Sequence, residues 1–369
     1  MPHKKEVEKP LTYSDGNPCT SALFPKLATS SSAWQGLSRK NNTFSNIYAM
    51  SLEDTYNEMV GEKACSIRFL RKKVPTWIRF PASVVLPFGV FEKILSEDIN
   101  KDVAKKFACL SELVDKGDMS KFKTIQEAVL QLKAPRRMGI EVRKKMKSSR
   151  IPWPRGPGEL TWSRIWQEIK QIWASKWNER TYISCQRTHM NHDKLCIGIL
   201  IQEQIRADYA FVTYTNHPVS QDSSEIYTEI VSGSVETLVG ASPGRAMNSV
   251  TKKSDLKSPI VTCYPSKSIG LYTKNEKSVI LRPDFLSENT NRSTCDGTHG
   301  SLSMENKEEV VLDYSRDPLV IDLSFQRLIH SKIAEASKIV EDIYGCAQDM
   351  EGVVQDGEIY LLQCRPLIL

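Results

Sequence analysis

Glu351, Gln363 and Arg365 carry the chemistry that is easiest to read from the chain. They stand in Asp349-Met-Glu-Gly-Val-Val354, Gln355-Asp-Gly357 and Glu358-Ile-Tyr-Leu-Leu-Gln-Cys-Arg365. This pattern predicts strand, tight loop and strand. With a three-residue loop and Gly357 in the left-handed conformation, paired residues across the hairpin have numbers that sum to an even value. Because side chains alternate along a strand, Glu351, Gln363 and Arg365 then share one face. A carboxylate, an amide and a guanidinium on one face suit a magnesium nucleotide: the carboxylate holds the metal and the guanidinium meets phosphate oxygens in a fork. A hairpin with a merely solvated polar face gives the same pattern, so spacing alone leaves both readings open.

Other reactive residue types are scattered. The nine cysteines include no CxxC pair, which signals neither a zinc knuckle nor a disulfide scaffold and points to reduced thiols. His189 and His192, in Thr188-His-Met-Asn-His-Asp193, read as members of a polar network rather than catalytic groups. Arg143-Lys-Lys-Met-Lys147 reads first as a solvated helix face, with anion or glucan-surface binding as the alternative.

The elements that must position the hairpin follow from periodicity. Trp162, Ile165, Trp166, Ile169, Ile172 and Trp173 form the stripe of an amphipathic helix, and core packing explains the tryptophans more simply than sugar stacking. Phe325, Ile329, Ile333, Ala336, Val340 and Ile343 predict a second long helix, with Gly345 just past its end. Between them, residues 196–202, 209–214 and 225–231 are β-branched and aromatic runs that predict strands. Upstream, Ser51 offers a helix N-cap, 74–81 and 83–89 read as extended, and 90–146 reads as helical. Ile151-Pro-Trp-Pro-Arg-Gly-Pro-Gly158 is a connector.

The 369 residues, 40% apolar and 25% charged, describe an ordinary globular chain long enough for two or three domains. A formal charge of +6 is too dilute to indicate nucleic acid as a partner. The longest apolar run, residues 196–201, is far short of the roughly 20 residues that span a bilayer, so no membrane partner is expected. The first residues lack the apolar segment of a secretory signal, and residues 1–50 read as a disordered or targeting lead-in.

The closing hairpin through Pro366 resembles the end of the ATP-binding domain in the dikinase family that includes pyruvate phosphate dikinase and phosphoenolpyruvate synthase. Trp173-Ala-Ser-Lys-Trp-Asn-Glu-Arg180, Gln202-Glu-Gln-Ile-Arg-Ala-Asp-Tyr-Ala-Phe-Val212, Ser223-Ser-Glu-Ile-Tyr227, Glu236-Thr-Leu-Val-Gly240 and Pro243-Gly-Arg-Ala246 resemble the C-terminal region of the plant α-glucan water dikinases more closely. The likeness runs from about Met59 to Pro366. It implies an α/β protein of ATP-grasp type with two lobes, 51–158 and 159–369, and ATP and Mg2+ between them. In that family a histidine on a separate swivelling domain takes the β-phosphate of ATP and passes it to a glucosyl unit. The γ-phosphate goes to water, leaving AMP.

By position, the resemblance implies catalytic roles for Arg282 and Arg365. It implies nucleotide contacts for Lys63, Arg282, Asp284, Glu236, Gln363 and Arg365, and a metal held by Glu351 with Gln363. Two departures accompany the matches. The family's glycine-rich loop after the arginine is here Arg282-Pro-Asp-Phe-Leu-Ser-Glu-Asn-Thr-Asn-Arg-Ser-Thr-Cys-Asp-Gly297, with Glu288 and Gly297 retained but Ser287, Arg292 and Cys295 in place of glycines. In Gly233-Ser-Val-Glu236 a further glycine beside the glutamate is missing. No phosphohistidine motif is recognised, so the chain is not expected to complete a dikinase cycle alone, and starch or α-glucan enters only through a separate histidine domain. The competing expectation is an inactive paralogue serving as an interaction module; a pyruvate-type dikinase domain fits less well. The family's setting implies the plastid, with the cytosol as the alternative.

Overall fold

The fold is described from a computed structural model for residues 47–153, 158–187, 191–240, 243–273, 279–285, 302–303 and 307–367. The chain starts with β1 (Met50–Ser51), α1 (Glu62–Arg71), β2 (Ile78–Arg79) and β3 (Ser83–Leu86). Six helices follow: α2 (Val90–Ser96), α3 (Lys101–Asp115), α4 (Phe122–Leu130), α5 (Arg136–Ser148), α6 (Gly158–Ala174) and α7 (Glu179–Arg187). Then come β4 (Ile197–Glu203), β5 (Tyr209–Tyr214), β6 (Glu225–Ser232), α8 (Val235–Val239), β7 (Met247–Lys252), β8 (Ile260–Cys263), β9 (Ile269–Thr273) and β10 (Val279–Phe285). The chain closes with β11 (Leu302–Ser303), β12 (Lys307–Val311), α9 (Pro318–Ile321), α10 (Leu323–Tyr344), β13 (Gln348–Gln355) and β14 (Glu358–Pro366).

Two sheets organise these elements. The first has the order β1-β3-β4-β10-β11 and the second β2-β14-β13-β5-β6-β7-β8, while β9 and β12 form a separate ribbon. All pairings are antiparallel except β14 with β2. The first sheet therefore joins strands from both sides of residue 158, and β2 extends the second sheet along the C-terminal strand. A division of the chain at 158 does not follow the sheets, because strands pair by edge complementarity and not by nearness in sequence.

Helices cover both faces of the first sheet, and α10 covers one face of the second. Val84, Leu86, Ile199, Ile201, Val279 and Leu281 meet α2, α4, α5 and α6, and in that core Ile165, Trp166, Ile169, Ile172 and Trp173 fill the face of α6. Trp166 donates its ring N–H to the Leu132 carbonyl at 3.1 Å, so its polar edge is satisfied inside the core. Core packing accounts for the tryptophan stripe. The second sheet lays Met350, Val354, Ile359 and Leu361 against Ile329, Ile333, Ala336 and Val340 of α10. That helix ends as the sequence predicts, with Gly345 left-handed at φ +70°. The opposite face of the first sheet carries Val85 and Leu200 against Ala64 and Ile67 of α1.

At its start the fold departs from the local signals. Ser51 belongs to β1 and makes no side-chain cap bond, and only two 3₁₀ turns, Leu52–Asp54 and Asn57–Met59, follow it before α1. Arg143–Lys147 lies on α5 with Met146 buried, Arg143 over the Trp153 ring and Lys145 3.8 Å from Asp54. Among the described residues, no helix is long and apolar enough to cross a membrane.

The closing hairpin differs from the expected loop. Asp356 and Gly357, at φ +51° and +75°, form a two-residue turn between the paired Gln355 and Glu358. A bulge between Glu351 and Gly352 then shifts the register, so that Glu351 faces Gln363 and Asp349 faces Arg365. Glu351, Gln363 and Arg365 share a face as predicted, but a bulge at Leu362 produces this and not a three-residue loop. A Cβ on Gly352 would overlap the Phe211 ring and lie 2.7 Å from the Tyr360 carbonyl oxygen. Gly352→Ala is therefore expected to lower unfolding free energy in urea by about 2 kcal/mol. Gly345→Ala, which has open space but a left-handed backbone, should lose only about 1 kcal/mol.

Candidate functional site

Helix α1 begins with Gly61, which has no side chain to cap it. Its first amides are met from β10: Gly61 N–H and Lys63 N–H donate to the two oxygens of the Asp284 carboxylate at 2.8 and 3.0 Å. Asp284 is fully buried. Burial pushes its carboxyl up to about 6, against the attraction of Lys63 and the hydrogen bonds from the helix amides. A Cβ at residue 61 would fall 2.5 Å from the Phe285 carbonyl and onto the Asp284 carboxylate, so only glycine admits this approach. Lys63, second in the helix, is thereby held at the mouth of the first sheet.

Arg282 lies two residues before Asp284 on β10 and shares its face. It is 9% exposed. Gln202 on β4 occupies the same face, donates to Ser83 Oγ at 3.2 Å, and buries an Oε1 acceptor that no described residue meets. Across from these residues, the hairpin presents Glu351, Gln363, Asp349 and Arg365. Burial raises the Glu351 carboxyl above its ordinary range, while the nearby charges of Arg282, Lys63 and Arg365 pull it down and that of Asp349 adds to the rise. The charges acting on Glu351 come from α1, β10, β13 and β14. Five of the expected residues, Lys63, Arg282, Glu351, Gln363 and Arg365, therefore gather between the two sheets.

Two further carboxylates expected at the site, Asp284 and Glu236, make contacts within the protein. Asp284 gives both oxygens to the start of α1 and so fixes Lys63 without turning outward. Glu236 on α8 forms an ion pair with Lys307 of β12 at 2.6 Å. Burial pushes the Glu236 carboxyl up, but the Lys307 hydrogen bond and charge outweigh it and leave the group below its ordinary range. In the stretch Gly233–Glu236, Gly233 alone has a left-handed backbone angle, at φ +97°. Ser287, Glu288, Arg292, Cys295, Gly297 and His189 lie outside the described residues. His192 is buried with Nε2 3.0 Å from the Lys176 carbonyl, and burial lowers it to about 4.

The sequence reading missed Asp349, Gln202 and the linker from β4 to β5. Asp349 was accessible to it: its number and that of Arg365 sum to the same even value as those of Glu351 and Gln363. The linker is where the chain crosses from one sheet to the other, and Glu203, Gln204, Ile205, Arg206, Asp208, Gln355 and Asp356 line a cleft of about 480 Å3 there. Among the described residues, no three His, Cys, Asp or Glu side chains are grouped to hold a metal. The one carboxylate and one amide at 351 and 363 fit Mg2+, which keeps waters and takes substrate phosphates as further ligands.

Asp284 has a measurable pH signature. Its carboxyl is raised from 3.8 to about 6, so the folded state binds the proton more tightly and this group's contribution to stability falls as pH rises through that window. His192 works in the opposite sense, losing stability as pH falls from 6.5 toward about 4. The comparison must therefore be between variants: Asp284→Asn should remove the falling component between pH 4 and 6 in unfolding titrations, leaving a steeper rise than wild type.

Residues 160–368 match the family described as the pyruvate phosphate dikinase, AMP/ATP-binding domain. The chain is 49% identical over 358 residues to α-glucan water dikinase 2 of Arabidopsis thaliana, covering 97% of this chain and 28% of that protein. It is 48% identical over 323 residues to the chloroplastic α-glucan water dikinase of Solanum tuberosum, covering 88% and 22%. A phosphoenolpyruvate synthase of Pyrococcus furiosus is 23% identical over 202 residues, 54% of this chain and 21% of that protein. The chain thus spans about a quarter of the length of the curated relatives it matches. With its converging cations and its two sheets, the chain belongs to the pyruvate phosphate dikinase AMP/ATP-binding domain family and corresponds to that domain of the α-glucan water dikinases.

Proposed function

We propose that the chain binds magnesium-ATP between its two sheets and serves as the nucleotide-binding part of an α-glucan water dikinase. The observation that carries this reading is the convergence of Lys63, Arg282 and Arg365, from three elements, on the half-buried Glu351. Glu351, Asp349 and Asp284 offset these three cations, so the arrangement favours a ligand that brings a divalent cation for the carboxylates together with a polyanion for the cations. Arg282 and Arg365 would neutralise charge on the transferring phosphates, and Lys63 would hold phosphate from the opposite side. Glu351 with Gln363 would hold Mg2+, which when bound supplies charge neutralisation at the phosphate oxygens. Asp284 acts through Lys63, and Glu236 through the ion pair that anchors α8. The cleft beside the β4–β5 linker supports a place for the nucleoside end.

The relatives' names extend the proposal to the whole reaction. ATP, glucan and water would give AMP, phosphoglucan and phosphate, with the acceptor histidine on a separate domain and the plastid as the compartment.

Calorimetric titration of the folded chain with magnesium-ATP tests the reading. Wild type is expected to bind saturably, and Arg365→Ala to bind about tenfold or more weakly, the loss of a charge-assisted bidentate contact. Glu351→Gln should remove most of the difference between affinities measured with magnesium and with a chelator. Wild type that is folded yet silent at millimolar magnesium-ATP would overturn the proposal in favour of the interaction module.

A further inference from the structure

Asp349 has no place in the reading above, yet it sits inside the site. It is the direct cross-strand partner of Arg365, and its Oδ2 accepts from Arg365 Nε at 2.8 Å. The Asp349 side chain is 10% exposed and that of Arg365 32%, so the pair is rooted in the sheet and the guanidinium extends outward. A hydrogen bond at Nε fixes the plane of the guanidinium by its inner edge, and the fork of terminal nitrogens projects from the opposite edge. Glu351 lies two residues away on the same face, about 7 Å along the strand, and its carboxyl feels the charge of Arg365.

We propose that Asp349 is the positioning residue of this site: it holds Arg365 so that its outer fork meets phosphate, and it keeps Arg365 from pairing with Glu351, which stays available to the metal. The proposal rests on the magnesium-ATP reading above. Its physical basis is competition between two carboxylates for one guanidinium. Glu351 is a desolvated carboxylate on the same face, so an Arg365 freed from Asp349 gains by turning to it. That collapsed pair would have to break before either partner could receive its ligand. Asp349 supplies the counter-charge in advance, with the geometry set by the strand register rather than by long flexible side chains. Tyr214, its cross-strand partner on β5, is also half-buried, which keeps the other flank of Asp349 poorly hydrated.

A double-mutant cycle on the full chain tests this, with magnesium-ATP titration and the magnesium concentration for half-maximal ATP binding as readouts and thermal unfolding as the check on folding. Asp349→Ala is expected to weaken ATP binding about tenfold and to raise the magnesium requirement. Asp349→Asn, which keeps an acceptor for Nε without the charge, should lose less. In the Arg365→Ala background, Asp349→Ala should change affinity by less than about twofold, because its partner is gone. An unchanged affinity in Asp349→Ala, or an equal loss in both backgrounds, overturns the positioning role while leaving the nucleotide reading intact. If Arg365→Ala itself is without effect, both fall. Should Asp349→Ala fail to fold, the same cycle run with Asp349→Asn decides between these outcomes.

Discussion

The carboxylate of Asp284, desolvated against the first turn of α1, is the constraint on which the site depends. It reaches across 223 residues to Gly61 and 221 to Lys63, and it satisfies amides that an α-helix cannot satisfy internally. Its negative charge also meets the positive end of the helix dipole, which offsets part of the cost of burial. Because α1 packs on β10 and β14, this one cap couples the first sheet, the helix and the second sheet. Moving it would shift Lys63 and the mouth of the site together.

Around that anchor, desolvation and charge pairing set the chemistry. Glu351 is raised by burial and by Asp349 and restrained by Arg282, Lys63 and Arg365, so its ionised form exists at the expense of cations held close by. The two sheets supply opposite halves of this arrangement, with Lys63 and Arg282 on one side and the hairpin carboxylates with Arg365 on the other. A ligand that brings its own negative charge and a divalent cation completes the balance. The helical layers behind each sheet do something different: they bury large apolar faces and hold the strands rigid, so that charged side chains project from fixed backbones.

Much of the scaffold was legible in the sequence because it is written in neighbouring residues. The α6 stripe, the α10 stripe with its left-handed Gly345, and the strands β4, β5 and β6 all follow from periods of 3.6 or 2. The grouping of Glu351, Gln363 and Arg365 on one face was also readable, although for an incomplete reason, since the Leu362 bulge and not the loop length aligns them. The helix cap expected at Ser51 failed because a serine signals a cap only where the following backbone is free to turn into a helix. Here it is paired with Val84 in a sheet.

By itself the sequence determined which elements form, the residue types at the site and the family likeness carried by its motifs. The tertiary structure alone decided what each charge is for. A carboxylate's identity says that it will seek donors, not which donors will reach it: Asp284 found a helix start, Glu236 found Lys307, and Asp349 found Arg365. Sheet membership was decided at the same level, since β1 and β2 join partners far along the chain. Helical and strand periodicity is a sum over adjacent residues, whereas burial and pairing energies depend on distances that exist only once the two sheets have closed around the site.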